Sequence, residues 1–234
     1  AFNLDGSLRA RTDLPLAAAI AGRLAVWTTP SLSAPFAGEP GFAVAAGSSA
    51  GDVAVWALNI LGPPGPFPIP PPGPVGFHRV PGWPRQLSSR NGFTPDFLWL
   101  DLDGRGGAAG HPSGCGGDNS ELVAHDADRL WAFCVEGRPL EGWGRSLGDT
   151  IAAGLGAGDP DGDGLPEVLI QTHNSKIAFI NTNGFPATGW PRPGSPEGAL
   201  VDDTLLTERR RSQRYPSLSP PLALDLQGQG RATV

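Results

Sequence analysis

The chain has 234 residues and a formal net charge of −6, with 34 glycines and 26 prolines set among seven tryptophans and ten phenylalanines. The acidic balance argues against nucleic acid as the main partner. The longest apolar run, Leu14 to Trp27, carries Arg23 and is too short for a membrane span of roughly 18 or more residues. Glycine and proline punctuate apolar runs that hold ample core material, so the composition predicts an all-β globular protein with many turns rather than disorder.

In chain order the first element is Ala1-Phe2-Asn3-Leu4-Asp5-Gly6, a short strand ending in a glycine turn, and residues 1–13 read as the end of a strand unit. Methionine is absent even at position 1, from which a processed or partial chain, part of a larger protein, is expected. Residues 14–89 form the next unit. They hold the strand Val55-Trp56-Ala57-Leu58-Asn59, a proline-rich insertion at 62–76 that reads as an extended loop, and the exit Gly82-Trp83-Pro84-Arg85.

The unit at 90–150 contains the turn Asp101-Leu102-Asp103-Gly104-Arg105-Gly106, the strand Ala132-Phe133-Cys134-Val135-Glu136-Gly137 and the exit Gly142-Trp143-Gly144-Arg145. The unit at 151–215 repeats these as Asp159-Pro160-Asp161-Gly162-Asp163-Gly164, Ala178-Phe179-Ile180-Asn181-Thr182-Asn183-Gly184 and Gly189-Trp190-Pro191-Arg192. Residues 216–234 open a further unit with Asp225-Leu226-Gln227-Gly228-Gln229-Gly230. The acidic turn is read as preceding the first strand of its unit. Ala132 and Ala178 are 46 residues apart, and Trp143 and Trp190 are 47 apart. Repeats of that length made of short strands predict a β-propeller of four-stranded blades of about 46 residues, with partial blades at both ends. Blades bury their faces against one another, so the recurring Trp and Phe are expected between neighbours.

One turn carries metal chemistry. Asp159, Asp161 and Asp163 stand at alternate positions, Gly162 and Gly164 let the backbone curl, and Glu167 closes the segment ahead of the apolar strand Val168-Leu169-Ile170. Hard cations such as Ca²⁺ take six to eight oxygens. The predicted ligands are the side chains of Asp159, Asp161, Asp163 and Glu167 and the carbonyl of Leu165. An EF-hand is excluded, because its closing Glu position falls on Ile170 and no helix follows. In the other two copies Arg105, Gln227 and Gln229 replace acids, leaving one complete site.

These residues resemble the FG-GAP/VCBS-type repeats of calcium-loop β-propellers, related to the blades of the integrin α-subunit head. The D-x-D-x-D-G loop at Asp159 to Glu167, the Ala-Phe strand and the Gly-Trp-Pro exit carry the likeness, chiefly over 90–200. The resemblance implies that Ca²⁺ stabilises a blade rather than catalyses. The expected function is a non-catalytic, calcium-stabilised extracellular scaffold for adhesion or assembly, secreted, periplasmic or at the cell surface. Its expected partners are other protein subunits or cell-surface polysaccharide. The alternative is the propeller domain of a secreted carbohydrate-active enzyme such as a polysaccharide lyase.

The remaining reactive residues are sparse. Cys115 and Cys134 form either one disulfide or two thiols, and no CxxC supports zinc or haem. His78, His111, His125 and His173 lack metal spacing, and His125 reads as a turn residue beside the surface acids Asp126 and Asp128. Arg209, Arg210, Arg211 and Arg214 form the one basic cluster, expected as a solvated loop or a contact for an anionic partner. No catalytic residue is assigned.

Overall fold

The computed structural model describes residues 20–29, 41–59, 77–87, 95–102, 115, 120–151, 154–160, 162–172, 176–187 and 192–193. Among them every regular element is a β-strand, and the strands form three antiparallel sheets. The first sheet contains β1 (Ile20–Thr29), β2 (Gly41–Ser48), β3 (Asp52–Asn59), β4 (Phe77–Arg79) and β5 (Arg85–Gln86). The second contains β6 (Asp96–Leu100), β7 (Glu121–Asp126), β8 (Arg129–Phe133) and β9 (Arg145–Ser146). The third contains β10 (Gly156–Gly158), β11 (Glu167–Gln171), β12 (Lys176–Ile180) and β13 (Arg192–Pro193). Each is a meander of sequential neighbours, with β4 and β5 both pairing with β3. No helix among the described residues is long and apolar enough to cross a membrane.

Local chemistry makes the hairpins. Between β2 and β3 the Ser48 hydroxyl accepts the N–H groups of Ala50 and Asp52, and Gly51, at φ 86°, turns the chain back. Beyond the turn, side chains alternate in direction. Val53, Val55 and Ala57 enter one core, while Ala54 and Trp56 join Ala46 in a separate cluster.

The sheets stack. One core gathers Ala43, Ala45, Val53 and Val55 of the first sheet with Phe97, Leu122, Ala124 and Phe133 of the second. A second core gathers Val123, Leu130 and Ala132 with Val168, Ile170, Ala178 and Ile180 of the third. The second sheet therefore buries both faces. Leu122 and Ala124 point to one neighbour and Val123 to the other, which is why β7 is apolar along its middle instead of alternating with polar residues. Trp83 meets Phe133 edge-on at 5.3 Å, and the Trp131 and Phe133 rings stack at 6.3 Å, so aromatic residues fill the gap between the first two sheets.

The outermost strand has the same interruption in all three sheets. Trp56 opposes Arg79 and Val53 opposes Arg85. Likewise Phe133 opposes Pro139 and Leu130 opposes Arg145, while Ile180 opposes Pro186 and Ile177 opposes Arg192. Each pair on the third strand thus faces a longer segment of equal length in every sheet. In the first two sheets the surplus bulges out, carrying Gly82-Trp83 and Gly142-Trp143 respectively.

These bulges interlock consecutive sheets. The Trp83 indole N–H donates to the Val135 carbonyl at 2.8 Å, and that of Trp143 to the Thr182 carbonyl at 2.9 Å. Val135 and Thr182 sit in matching turns, closed by Gly137 N–H to the Cys134 carbonyl and Gly184 N–H to the Asn181 carbonyl, both at 2.8 Å. A Cβ on Gly82 would overlap the Glu136 carbonyl oxygen, and one on Gly142 that of Asn183. In the other direction, a Cβ on Gly184 would lie 2.7 Å from the Gly142 carbonyl oxygen. Backbone packs on backbone there, which only glycine permits.

Two details of the repeat differ from the sequence reading. The acidic turns follow the first strand of their sheets, joining β6 to β7 and β10 to β11, rather than preceding it. The Ala-Phe pairs are also out of register by one residue. The matching turns align Phe133 with Ile180 and Ala132 with Phe179. Accordingly Phe133 faces the first sheet, whereas Phe179 joins Leu169, Ile177 and Ala187 on the face of the third sheet away from the second. A slip of one residue along a strand exchanges the two faces.

Candidate metal centre

The β10–β11 connection is organised by Asp159. Its Oδ1 accepts the Gly162 N–H at 2.6 Å and its Oδ2 the Gly164 N–H at 2.9 Å, while Asp163 Oδ1 accepts the Leu165 N–H at 2.7 Å. Gly162 and Gly164 lie at φ 75° and 85°, the left-handed geometry their lack of a Cβ allows. The chain curls around the Asp159 carboxylate and then enters β11 at Glu167, which is 2% exposed and opposes Gly158.

Of the predicted ligands, Asp159, Asp163, Leu165 and Glu167 lie in or beside this curl, and Asp161 lies outside the described residues. Among the described residues no three His, Cys, Asp or Glu side chains gather as a metal-holding group. The donor chemistry nonetheless suits a hard cation. Each carboxylate offers about four lone-pair sites, and the two Asp159 bonds given above leave sites over.

The second sheet contains a sister connection whose closing acid sequence reasoning missed. Leu100 opposes Glu121 as Gly158 opposes Glu167, so Asp101 matches Asp159 and Glu121 matches Glu167. Glu121 is 1% exposed, and its Oε2 accepts the Leu102 N–H at 2.9 Å. The available signal was the run Leu122-Val123-Ala124, which follows Glu121 as Val168-Leu169-Ile170 follows Glu167. Through its bond to Leu102, Glu121 ties the chain just after the end of β6 to the start of β7.

Cys115 and Cys134 form a disulfide with a Cα–Cα distance of 5.5 Å, and both are buried in the second core. His125 differs from its expected place in an exposed turn. It lies in β7, 5% exposed, beside the equally buried Asp126, because sheets pack against both faces of that strand. Burial lowers its pKa from 6.5 to about 4, against the attraction of Asp96 on the neighbouring strand. The basic residues Arg209, Arg210, Arg211 and Arg214 lie outside the described residues, as do residues 1–13, the proline-rich insertion, Trp190 and the turn at Asp225. His111 and His173 lie there too.

No protein-family model matches the chain, and no curated protein matches it.

Proposed function

We propose that this chain forms blades of a calcium-stabilised β-propeller of the FG-GAP/VCBS type and serves outside the cytoplasm as a non-catalytic scaffold for adhesion or assembly. Its partners on this reading are other protein subunits or cell-surface polysaccharide. The observation that carries it is the joint seen twice, in which the Gly-Trp bulges of the first and second sheets each seat on the next sheet's turn with the same hydrogen bond. A unit that docks identically on its successor is the construction principle of blades around an axis. The disulfide supports an oxidising compartment.

In this reading Asp159, Asp163 and Glu167, with Asp161 and the Leu165 carbonyl, hold Ca²⁺ between the end of β10 and the start of β11. The cation supplies positive charge that offsets repulsion among the loop acids. The chain's own contribution is the curl, in which the Asp159 carboxylate accepts two backbone N–H groups.

Thermal unfolding with saturating Ca²⁺ and with chelator tests the metal. A ligand at about 100 times its Kd adds about 2.7 kcal/mol, so the chelated protein should unfold at a clearly lower temperature. Asp163→Asn keeps an oxygen for the Leu165 N–H but removes a charge, and should shrink that difference. An identical transition in wild type with and without Ca²⁺ would refute the metal reading. Incubation with acidic polysaccharides tests the scaffold: binding without new reducing or unsaturated ends is expected, and cleavage would point to the lyase alternative.

A further inference from the structure

The two cores between sheets share one register but are not filled alike. Trp131 opposes Ala124 and Phe133 opposes Leu122 in the second sheet, where Ala178 opposes Ile170 and Ile180 opposes Val168 in the third. Phe133 bridges to Pro139 as Ile180 bridges to Pro186, so Ala178 stands in the place of Trp131 and Ile180 in that of Phe133. Both pairs face the preceding sheet.

Toward the first sheet, the stacked rings of Trp131 and Phe133 occupy this position. Toward the second sheet the indole is replaced by a methyl group, and Ile170 in place of Ala124 restores only part of the lost volume. A cavity of about 260 Å³ results, floored by Leu147, Ile170, Ala178 and Ile180 and opening beside Arg145 and Asp149. At its edge the Arg145 guanidinium sits 3.9 Å from the centroid of the Phe185 ring, which is 43% exposed. Gly144 precedes Arg145 and lies so close to Trp131 that a Cβ would approach the indole to 2.6 Å, so the second sheet's backbone is fitted to that ring.

We propose that this cavity receives a tryptophan-sized aromatic side chain from a partner polypeptide. The sister interface shows which shape belongs at this register: a flat ring slid between sheets, lying against the position of Ile180. The volume falls below the roughly 300–1,000 Å³ of sites for drug-sized ligands and suits a single ring system. Arg145, Ser146, Asp149 and Thr172 make the lining polar around the apolar floor of Leu147, Ile170, Ala178 and Ile180. Buried aromatic anchors in such pockets dominate protein interfaces. The proposal stands on the packing of the second and third sheets and does not depend on the metal.

The test is a methyl NMR titration of Ile170, Ala178 and Ile180 with N-acetyl-tryptophanamide, N-acetyl-alaninamide and indole, with Ca²⁺ present throughout. Saturable shifts are expected with the blocked tryptophan, at least tenfold tighter than with the blocked alanine and tighter than with indole. Ala178→Trp places an indole at the register of Trp131 and should weaken binding at least tenfold. Ala178→Leu, a smaller filling, should weaken it about threefold and covers the case in which the larger variant does not fold. Absence of saturable shifts in wild type, or unchanged binding in a folded filled variant, would overturn the proposal. Tighter binding of indole than of blocked tryptophan would also overturn it, because the site would then serve a free aromatic solute.

Discussion

Gly142 and Gly148 have similar backbones, with φ of 89° and 73°, but different surroundings. A Cβ on Gly148 meets nothing within 4 Å, whereas one on Gly142 overlaps the Asn183 carbonyl of the next sheet. Gly148→Ala should therefore cost only the left-handed strain, about 1–2 kcal/mol. Gly142→Ala must also push two sheets apart, and its loss in urea denaturation should exceed that of Gly148→Ala by about 1–3 kcal/mol. Equal losses would mean that the joint is not tight. His125 sets a pH dependence of known sign. Its pKa is about 4 in the fold and near 6.5 once unfolded, so between those values the unfolded chain binds the extra proton. Stability should hold above about pH 7 and fall as pH drops from 6.5 towards 4, by at most about 3 kcal/mol from this group. Urea midpoints at pH 7 and pH 5 measure the slope, which His125→Gln should flatten. A wild-type slope of the opposite sign in that window would show that other groups outweigh it.

At the level of elements, the interrupted outer strand is the feature on which the stack depends. Trp143→Phe keeps an aromatic ring but leaves the Thr182 carbonyl without the indole donor, and Trp83→Phe does the same to Val135. Each should lose about 0.5–1.5 kcal/mol, and because the two joints are separate the double variant should lose the sum. Strong non-additivity in chemical denaturation would contradict independent joints. The Gly-Trp bulge was legible as a repeat because glycine and tryptophan are rare enough together to stand out. Its role was not, since the Trp143 acceptor lies 39 residues away and only stacking brings it near. The Ala-Phe likeness misled by one position for a related reason: similar letters fit either face of a strand, and only the pairing partner decides which. Glu121 stayed hidden behind the long segment after Asp103, whereas the compact spacing from Asp159 to Glu167 displayed the matching acid directly. His125 looked exposed because acids flank it in sequence, while its burial comes from sheets distant in sequence.

For the whole molecule, stacking makes stability a matter of neighbours. A sheet covered on both faces has two interfaces to lose before it opens, and one covered on a single face has one. All six residues of β7 are buried, and its backbone pairs with β6 on one side and β8 on the other. By contrast, among the described residues β1 pairs only with β2, and it exposes Leu24 at 55% and Val26 at 58%. Amide hydrogen exchange should rank accordingly. The amides of Leu122 to His125 should exchange slowest, through openings that approach global unfolding, and those of β1 through smaller local ones. The ranking also separates a stack from a single cooperative body of equal area. In a stack, Trp143→Phe should accelerate exchange in β11 and β12 more than in β2 and β3, because the joint it weakens seats the third sheet. Exchange read residue by residue in wild type and this variant decides the matter: uniform protection, or uniform loss of it, would show that the sheets do not open as neighbouring units.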